Sequence, residues 1–208
     1  MQTADDTEIR RGRKFEQVLD GARRIFMRDG FEGASVDDIA REAAVSKATL
    51  YAYFPDKRLL FTEICSEECR RHTEAAEAEM DPSAPAAEML AFAARKFVTF
   101  MMSEFGRNMF RLVVAEGVRF PDLAQQFYEI GPGMIHRKLA DYLREATAQG
   151  ELQIEDFDLA SAQFIQLSKA QLHEKLIFGL IDTISEAEIE ATAKGAVEMF
   201  MARYGVKP

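Results

Sequence analysis

Apolar residues recur at spacings of three and four along nearly the whole chain, and alternating apolar–polar runs bounded by turn residues are essentially absent. That is the pattern of amphipathic helices, not strands, so the expected fold is all-α. Phe15, Val18, Leu19, Ala22, Ile25 and Phe26 make the buried stripe of a first helix over 13–28, which Gly30 stops by taking a left-handed conformation at low cost. Ser35, followed three residues later by Asp38, has capping-box spacing and starts a short helix over 36–43, where Asp37 and Asp38 favour the positive end of the helix dipole. Ser46 then caps another short helix over 47–53. Two short helices joined by a tight turn form a helix-turn-helix.

Pro55 ends this segment, and Asp56 caps a long helix over 57–80. The stretch from Asp81 to Pro85 is the clearest boundary in the chain, because Pro82 and Pro85 cannot continue a helix. Beyond it the pattern predicts helices near 86–103, 107–117, 121–130, 132–149, 158–180 and 186–204, with Gly106, Pro121, Pro132, Gly150 and Gly179 as punctuation. Ser185 and Glu188 give the last of these a capping box.

With 208 residues, 48% of them hydrophobic, the chain can bury a substantial core. The balance of 26 basic against 35 acidic residues argues at first against a polyanionic partner. The distribution reverses that reading: from Arg10 to Arg58 there are eleven Lys or Arg against eight Asp or Glu, so the acidity lies in the remainder. A basic head on an acidic body suits a DNA binder whose body should not stick to DNA. No apolar run reaches the roughly 18 residues that span a bilayer, and the first residues are polar, which points to the cytoplasm and away from a membrane partner. Catalysis has little to work with. There are three histidines and no Gly-rich phosphate loop, nucleophile elbow, His-Glu-x-x-His or carboxylate–His di-iron pattern, so no catalytic residue, metal site or cofactor is expected. Cys65, Cys69 and His72 share one helix face at i, i+4 and i+7. They form either a thiol or metal-sensing trio, for which a fourth ligand is not evident, or two half-buried cysteines beside an exposed histidine.

The segment FEGASVDDIAREAAVSKATLYAYFPDKRLLF, Phe31 to Phe61, resembles the DNA-binding signature of the TetR family of bacterial regulators. The stretches RLVVAEGVRFPDLAQQFYEIGPG, Arg111 to Gly133, and QLSKAQLHEKLIFG, Gln166 to Gly179, are similar to the C-terminal domain of the AefR-like subgroup. The resemblance implies a DNA-binding domain over 1–56, a connecting helix over 57–80, and a ligand-binding and dimerisation domain over 81–208. It implies phosphate contacts from Ser35, Thr49, Tyr51, Tyr53 and Lys57, an approach to bases by Lys47 and Ala48, and a place for Ser46 at the same surface. The run Arg10, Arg11, Arg13, Lys14 reads either as a DNA-contacting arm or as a solvated tail. Two positions depart from the family pattern. Ala44 stands where a turn glycine is usual, and Ala52 where a larger polar residue is common.

In the C-terminal part, methionine and phenylalanine are dense, as in surfaces that repack around varied ligands. Phe97, Met101, Phe105, Phe110 and Phe127 are the candidate apolar lining of an effector pocket. Arg111, Gln166 and His173, with Glu116 and His136, are candidate polar anchors. The helices over 158–180 and 186–204 carry apolar stripes that a second copy would cover, giving a homodimer. The implied function is a repressor that binds a palindromic operator and is released by a small apolar or aromatic effector. An all-helical enzyme or a protein-binding adaptor is the alternative, and neither explains the set Lys47, Thr49, Tyr51, Tyr53, Lys57.

Overall fold

A computed structural model describes residues 12–206 except Gln171 and Asp182. Among these residues the chain is helical throughout, and its only extended pairing is a lone antiparallel bridge between Leu152 and Gly205. It divides into two compact units, one ending at Glu67 and the other beginning at Glu68.

The first unit contains α1 (Arg13–Gly33), α2 (Val36–Glu42), α3 (Lys47–Tyr53) and the N-terminal half of α4 (Lys57–Glu79). All six residues of the expected α1 stripe are buried. Gly30, at φ 73°, breaks the helix where expected, yet a further short turn follows and carries Phe31 into the core. There Phe31 stacks on Phe26 at 5.8 Å, and Phe61 from α4 meets both rings edge-on at 5.6 Å. Side-chain oxygens of Ser35 and Ser46 accept from the backbone N–H groups of Asp38 and Thr49, at 3.0 and 3.1 Å. These caps satisfy donors that the short helices α2 and α3 cannot pair internally. Between them Ala44 takes φ 52°, a left-handed conformation that costs a non-glycine residue about 1 kcal/mol. The turn closes nonetheless through Ala44 N–H to Arg41 and Val45 N–H to Ala40. α1 crosses α2 at Gly21, where a Cβ would lie 2.7 Å from both the Cβ and the backbone nitrogen of Ala43. Leu50 and Ile39 anchor α3 and α2 against this frame, and their opposite faces are left to solvent.

The second unit contains the C-terminal half of α4, then α5 (Ala86–Met102), α6 (Glu104–Glu116), α7 (Pro121–Ile130), α8 (Pro132–Ala148), α9 (Phe157–Ser168), α10 (Leu172–Ile177) and α11 (Glu186–Tyr204). Its main core joins Leu90, Leu143, Leu152, Phe164 and Phe200 from α5, α8, the segment after α8, α9 and α11. Val98, Met102, Leu172 and Leu176 form a smaller cluster where α10 folds against α5. Glu151 accepts from the N-terminal amide of α5, Ala86 N–H, at 2.6 Å. Two boundaries differ from expectation. Gly106 does not precede α6 but lies in its first turn, donating its N–H to the Ser103 hydroxyl that caps the helix. The single helix expected over 158–180 is two, because the Ser168 hydroxyl donates to the Phe164 carbonyl at 2.8 Å and Lys169 leaves helical geometry at φ −114°, ψ 10°. Back-bonding of a serine to the carbonyl four residues earlier competes with the helix ladder, and no glycine or proline announces this break.

Candidate DNA-binding surface and effector cavity

The α2–turn–α3 segment leaves a polar face uncovered. Lys47 and Ala48 are exposed in the first turn of α3, Tyr51 is half exposed, and Thr49 is partly buried beside the Ser46 hydroxyl, 2.9 Å away. Lys47 pairs with Asp37 of α2. Ser35 has a second task besides its cap, donating its hydroxyl to the Asp38 carboxylate at 2.5 Å. That bond, helped by Arg41, holds the Asp38 carboxyl below the usual range. Tyr53 packs edge-on against Phe15 at 5.7 Å, so its ring belongs to the core margin. Lys57 is more firmly committed: its ammonium donates to the carbonyls of Phe31 and Ala34 at 2.7 and 3.1 Å and lies 4.5 Å from the Phe31 ring centre. These carbonyls end the turn that follows Gly30, so Lys57 neutralises the negative end of that turn. Ala52 is exposed and brings no polar group. Arg10 and Arg11 lie outside the described residues, and Arg13 and Lys14 are exposed at the start of α1.

Within the second unit a cavity of about 480 Å³ opens between α4, α5, α8 and α9. Phe92, Phe97 and Phe100 line it from α5, Phe164 and Ile165 from α9, and Met134, Ile135 and Tyr142 from α8. The tail of α4 adds Cys69, His72 and Thr73, and Met80 follows just beyond it. The charges at its edge are paired with one another, Lys96 with Glu79 and Lys138 with Glu77, each at 2.5 Å, and Arg144 with Asp141 at 2.6 Å. Glu145 is exposed at the same rim, and the rest of the lining, His72 apart, is apolar or uncharged. Burial, with a smaller contribution from Glu151, pushes the Tyr142 hydroxyl up to about 12, so it stays a neutral donor.

Of the candidate effector residues, Phe97 lines this cavity. Met101 packs against the smaller core cluster instead. Phe110 meets His173 edge-on at 4.8 Å, and Arg111 donates to the Leu176 carbonyl, so these residues tie α6 to α10. His173 is half buried, and desolvation followed by Lys169 lowers its pKa, keeping the ring neutral. Phe105 and Phe127 are half buried on α6 and α7, away from the cavity lining. Gln166 is exposed in a shallow groove with Met199, Arg203 and Tyr204. His136 bonds the Asp158 carbonyl at 3.0 Å, and Glu116 is partly buried outside the lining. The α8 wall and the α4 tail were not legible in the sequence as parts of one pocket.

Cys65 and Cys69 are buried. Burial, then Glu68, pushes the Cys69 thiol up to about 11, away from the thiolate that sensing chemistry needs. His72 stacks on Phe100 at 4.4 Å and lies 3.3 Å from Glu68. Among the described residues no group of three His, Cys, Asp or Glu side chains is placed to hold a metal ion.

Residues 18–64 match the N-terminal model of the bacterial regulatory proteins of the tetR family, and residues 88–206 match that of the AefR-like transcriptional repressor C-terminal domain. The chain belongs to the TetR family. Its curated relatives include the fatty acid metabolism regulator protein of Bacillus subtilis (strain 168), 26% identical over 171 residues that span 81% of this chain and 80% of that protein. Among solved structures, a putative TetR-family regulator from Mesorhizobium loti superposes with a TM-score of 0.84 at 28% identity, covering 93% of this chain and 98% of that one. The flavonoid-responsive regulator FrrA superposes at 0.78 with 34% identity, covering 95% and 100%. This TetR-family chain is therefore a transcriptional regulator with a DNA-binding helix-turn-helix, not an enzyme. Among its described residues no helix is long and apolar enough to cross a membrane.

Proposed function

We propose that the protein is a cytoplasmic repressor that binds a palindromic operator as a homodimer and is released by a small, uncharged, largely aromatic effector held in the cavity between α4, α5, α8 and α9. The observation that carries the reading is the cavity itself: about 480 Å³, within the range of small-molecule sites, lined mainly by apolar side chains, and with Lys96, Lys138 and Asp141 at its edge already paired. An anionic ligand would lose hydration there without gaining a free counter-charge, since Lys96 and Lys138 are already paired. The name of the flavonoid-responsive relative fits the same class of planar molecule.

At the operator, Lys47 and Ala48 approach bases while Ser35, Ser46, Thr49 and Tyr51 contact phosphates. Tyr53 and Lys57 act at the margin of that surface, and Lys57 also serves the fold. The dimer forms through α9, α10 and α11, where Leu159 and Met199 stand exposed. α4 is a single helix whose first half belongs to the DNA-binding unit and whose second half walls the cavity. Cavity occupancy is thus coupled to operator affinity. An effector that prefers the non-binding state about a hundredfold weakens operator binding by about 2.7 kcal/mol.

The test is fluorescence anisotropy with duplexes from the region upstream of the gene, at two salt concentrations and with unrelated competitor DNA. Binding at two subunits per site that resists competitor and is released by naringenin or a similar neutral polyphenol supports the proposal. Substitution of both Lys47 and Tyr51 abolishes that binding; retention of binding would remove the surface assigned here. Filling the cavity with Ala93→Trp abolishes release while operator binding persists.

A further inference from the structure

Asp37 is an unusual residue to find where a polyanion docks. It lies in the first turn of α2, its side chain 55% exposed, and its carboxylate is paired with the ammonium of Lys47, the first residue of α3, which is 59% exposed. Its one role in the local fold is the modest one of a carboxylate near the positive end of the short helix α2. The α2 capping work is done by its neighbour: Ser35 receives the Asp38 N–H, its hydroxyl bonds the Asp38 carboxylate, and Asp38 also holds Arg41 at 2.9 Å. Asp37 is thus a negative charge carried on the DNA-facing side with Lys47 as its partner.

Two physical consequences follow. Against a phosphate, the carboxylate repels, and it also cancels the cation that would otherwise grip the backbone of any sequence. Against base edges, a carboxylate is welcome at an amine donor, such as cytosine N4, while a freed lysine finds acceptors on guanine. The pair therefore penalises DNA in general and is relieved only by a base-pair edge that supplies both a donor and an acceptor.

We propose that Asp37 sets the sequence discrimination of this regulator, holding Lys47 back from phosphates on unrelated DNA and yielding it only at the correct base pairs. The proposal rests on the placement of Lys47 at the DNA. The experiment compares wild type, Asp37→Asn, Lys47→Met and the double variant on two probes: the tightest duplex that wild type recovers from a random-sequence pool, and an unrelated mixed-sequence duplex. Asp37→Asn tightens binding to the unrelated duplex about three- to fivefold and steepens its salt dependence by about one phosphate contact. The ratio between the two probes falls, and the effect disappears in the Lys47→Met background. Asp37→Ser, which keeps an oxygen at the start of α2, reproduces the asparagine result, separating discrimination from helix stability. Equal tightening on both duplexes, no change on the unrelated one, or an effect that persists without Lys47 overturns the role of Asp37. A Lys47→Met variant that binds both probes like wild type removes Lys47 from the DNA surface and the proposal with it, whereas a weakened Lys47→Met beside a silent Asp37→Asn overturns Asp37 alone.

Discussion

Gly21→Ala tests how closely the helix-turn-helix depends on the approach of α1 to α2. The added methyl would sit 2.7 Å from the Cβ of Ala43, 2.7 Å from its backbone nitrogen and 2.8 Å from its Cα, where ordinary contact begins near 3.4 Å. Two of the three nearest atoms are backbone, so no rotamer change relieves the clash and α2 must move by several tenths of an ångström. Because the clash is mainly with backbone, overpacking here falls in the upper part of the usual range, about 2–3 kcal/mol, and the better helix propensity of alanine returns about 1 kcal/mol, leaving a net loss of about 1–2 kcal/mol. For a chain of this length that is a fall in melting temperature of about 2–8 °C. Thermal denaturation followed by circular dichroism measures it, and anisotropy with an operator duplex reads the displacement of α3 that accompanies it. Ala43→Gly in the same chain relieves only the Cβ contact and restores stability in part. An unchanged or raised melting temperature for Gly21→Ala would refute the reasoning, and so would full rescue by Ala43→Gly.

Ala44→Gly relaxes the left-handed turn at φ 52° and stabilises the first unit by about 0.5 kcal/mol, read as a higher denaturation midpoint, because the strain relieved, about 1 kcal/mol, exceeds the roughly 0.5 kcal/mol of entropy that glycine adds to the unfolded chain. Lys57→Met leaves the carbonyls of Phe31 and Ala34 without their donor and destabilises by about 1–2 kcal/mol in urea unfolding, even where DNA is absent. Cys69, with its thiol held near 11, resists iodoacetamide in the native protein at pH 8 and reacts after unfolding; rapid native alkylation followed by mass spectrometry would contradict its burial. Asp38, Asp56 and Glu188 are held below their ordinary values, by Ser35, Arg58 and Ser185 first. Their contribution is therefore complete above the ordinary carboxylate range and is lost as pH falls through the lower folded values, so denaturation midpoints are flat near neutrality and drop in acid.

The helix-turn-helix was legible because its signals are local. Ser35, Ser46, Gly30 and the α1 stripe act within a few residues, and each does in the structure what its spacing implies. Even the departure at Ala44 could be anticipated, since the turn needs a left-handed residue whatever its identity. The cavity was not legible in this way. Phe97 was found because aromatic density marks α5, but Tyr142, Met134 and His72 join it only through the packing of α8 and α4, which no periodicity reports. The break at Ser168 and Lys169 was hidden for a related reason: a hydroxyl bonded back to Phe164 ends a helix without any residue that advertises a stop. Lys57 shows the converse, a basic side chain on a DNA-binding motif whose amine is already engaged by the fold.

The segment just after α8 has a consequence for how the molecule comes into being. Glu151 caps α5 at Ala86, Leu152 bridges Gly205, and Gln153 donates its N–H to Tyr204 at 2.7 Å, while Phe200 completes the core around Leu90 and Phe164. The second unit thus draws on residues from both ends of its own sequence, and its core cannot close until α11 has left the ribosome. The DNA-binding unit has all its parts once Glu67 is out. Because domains fold as units in order of synthesis, each nascent chain can complete its helix-turn-helix well before the core of its second unit can close.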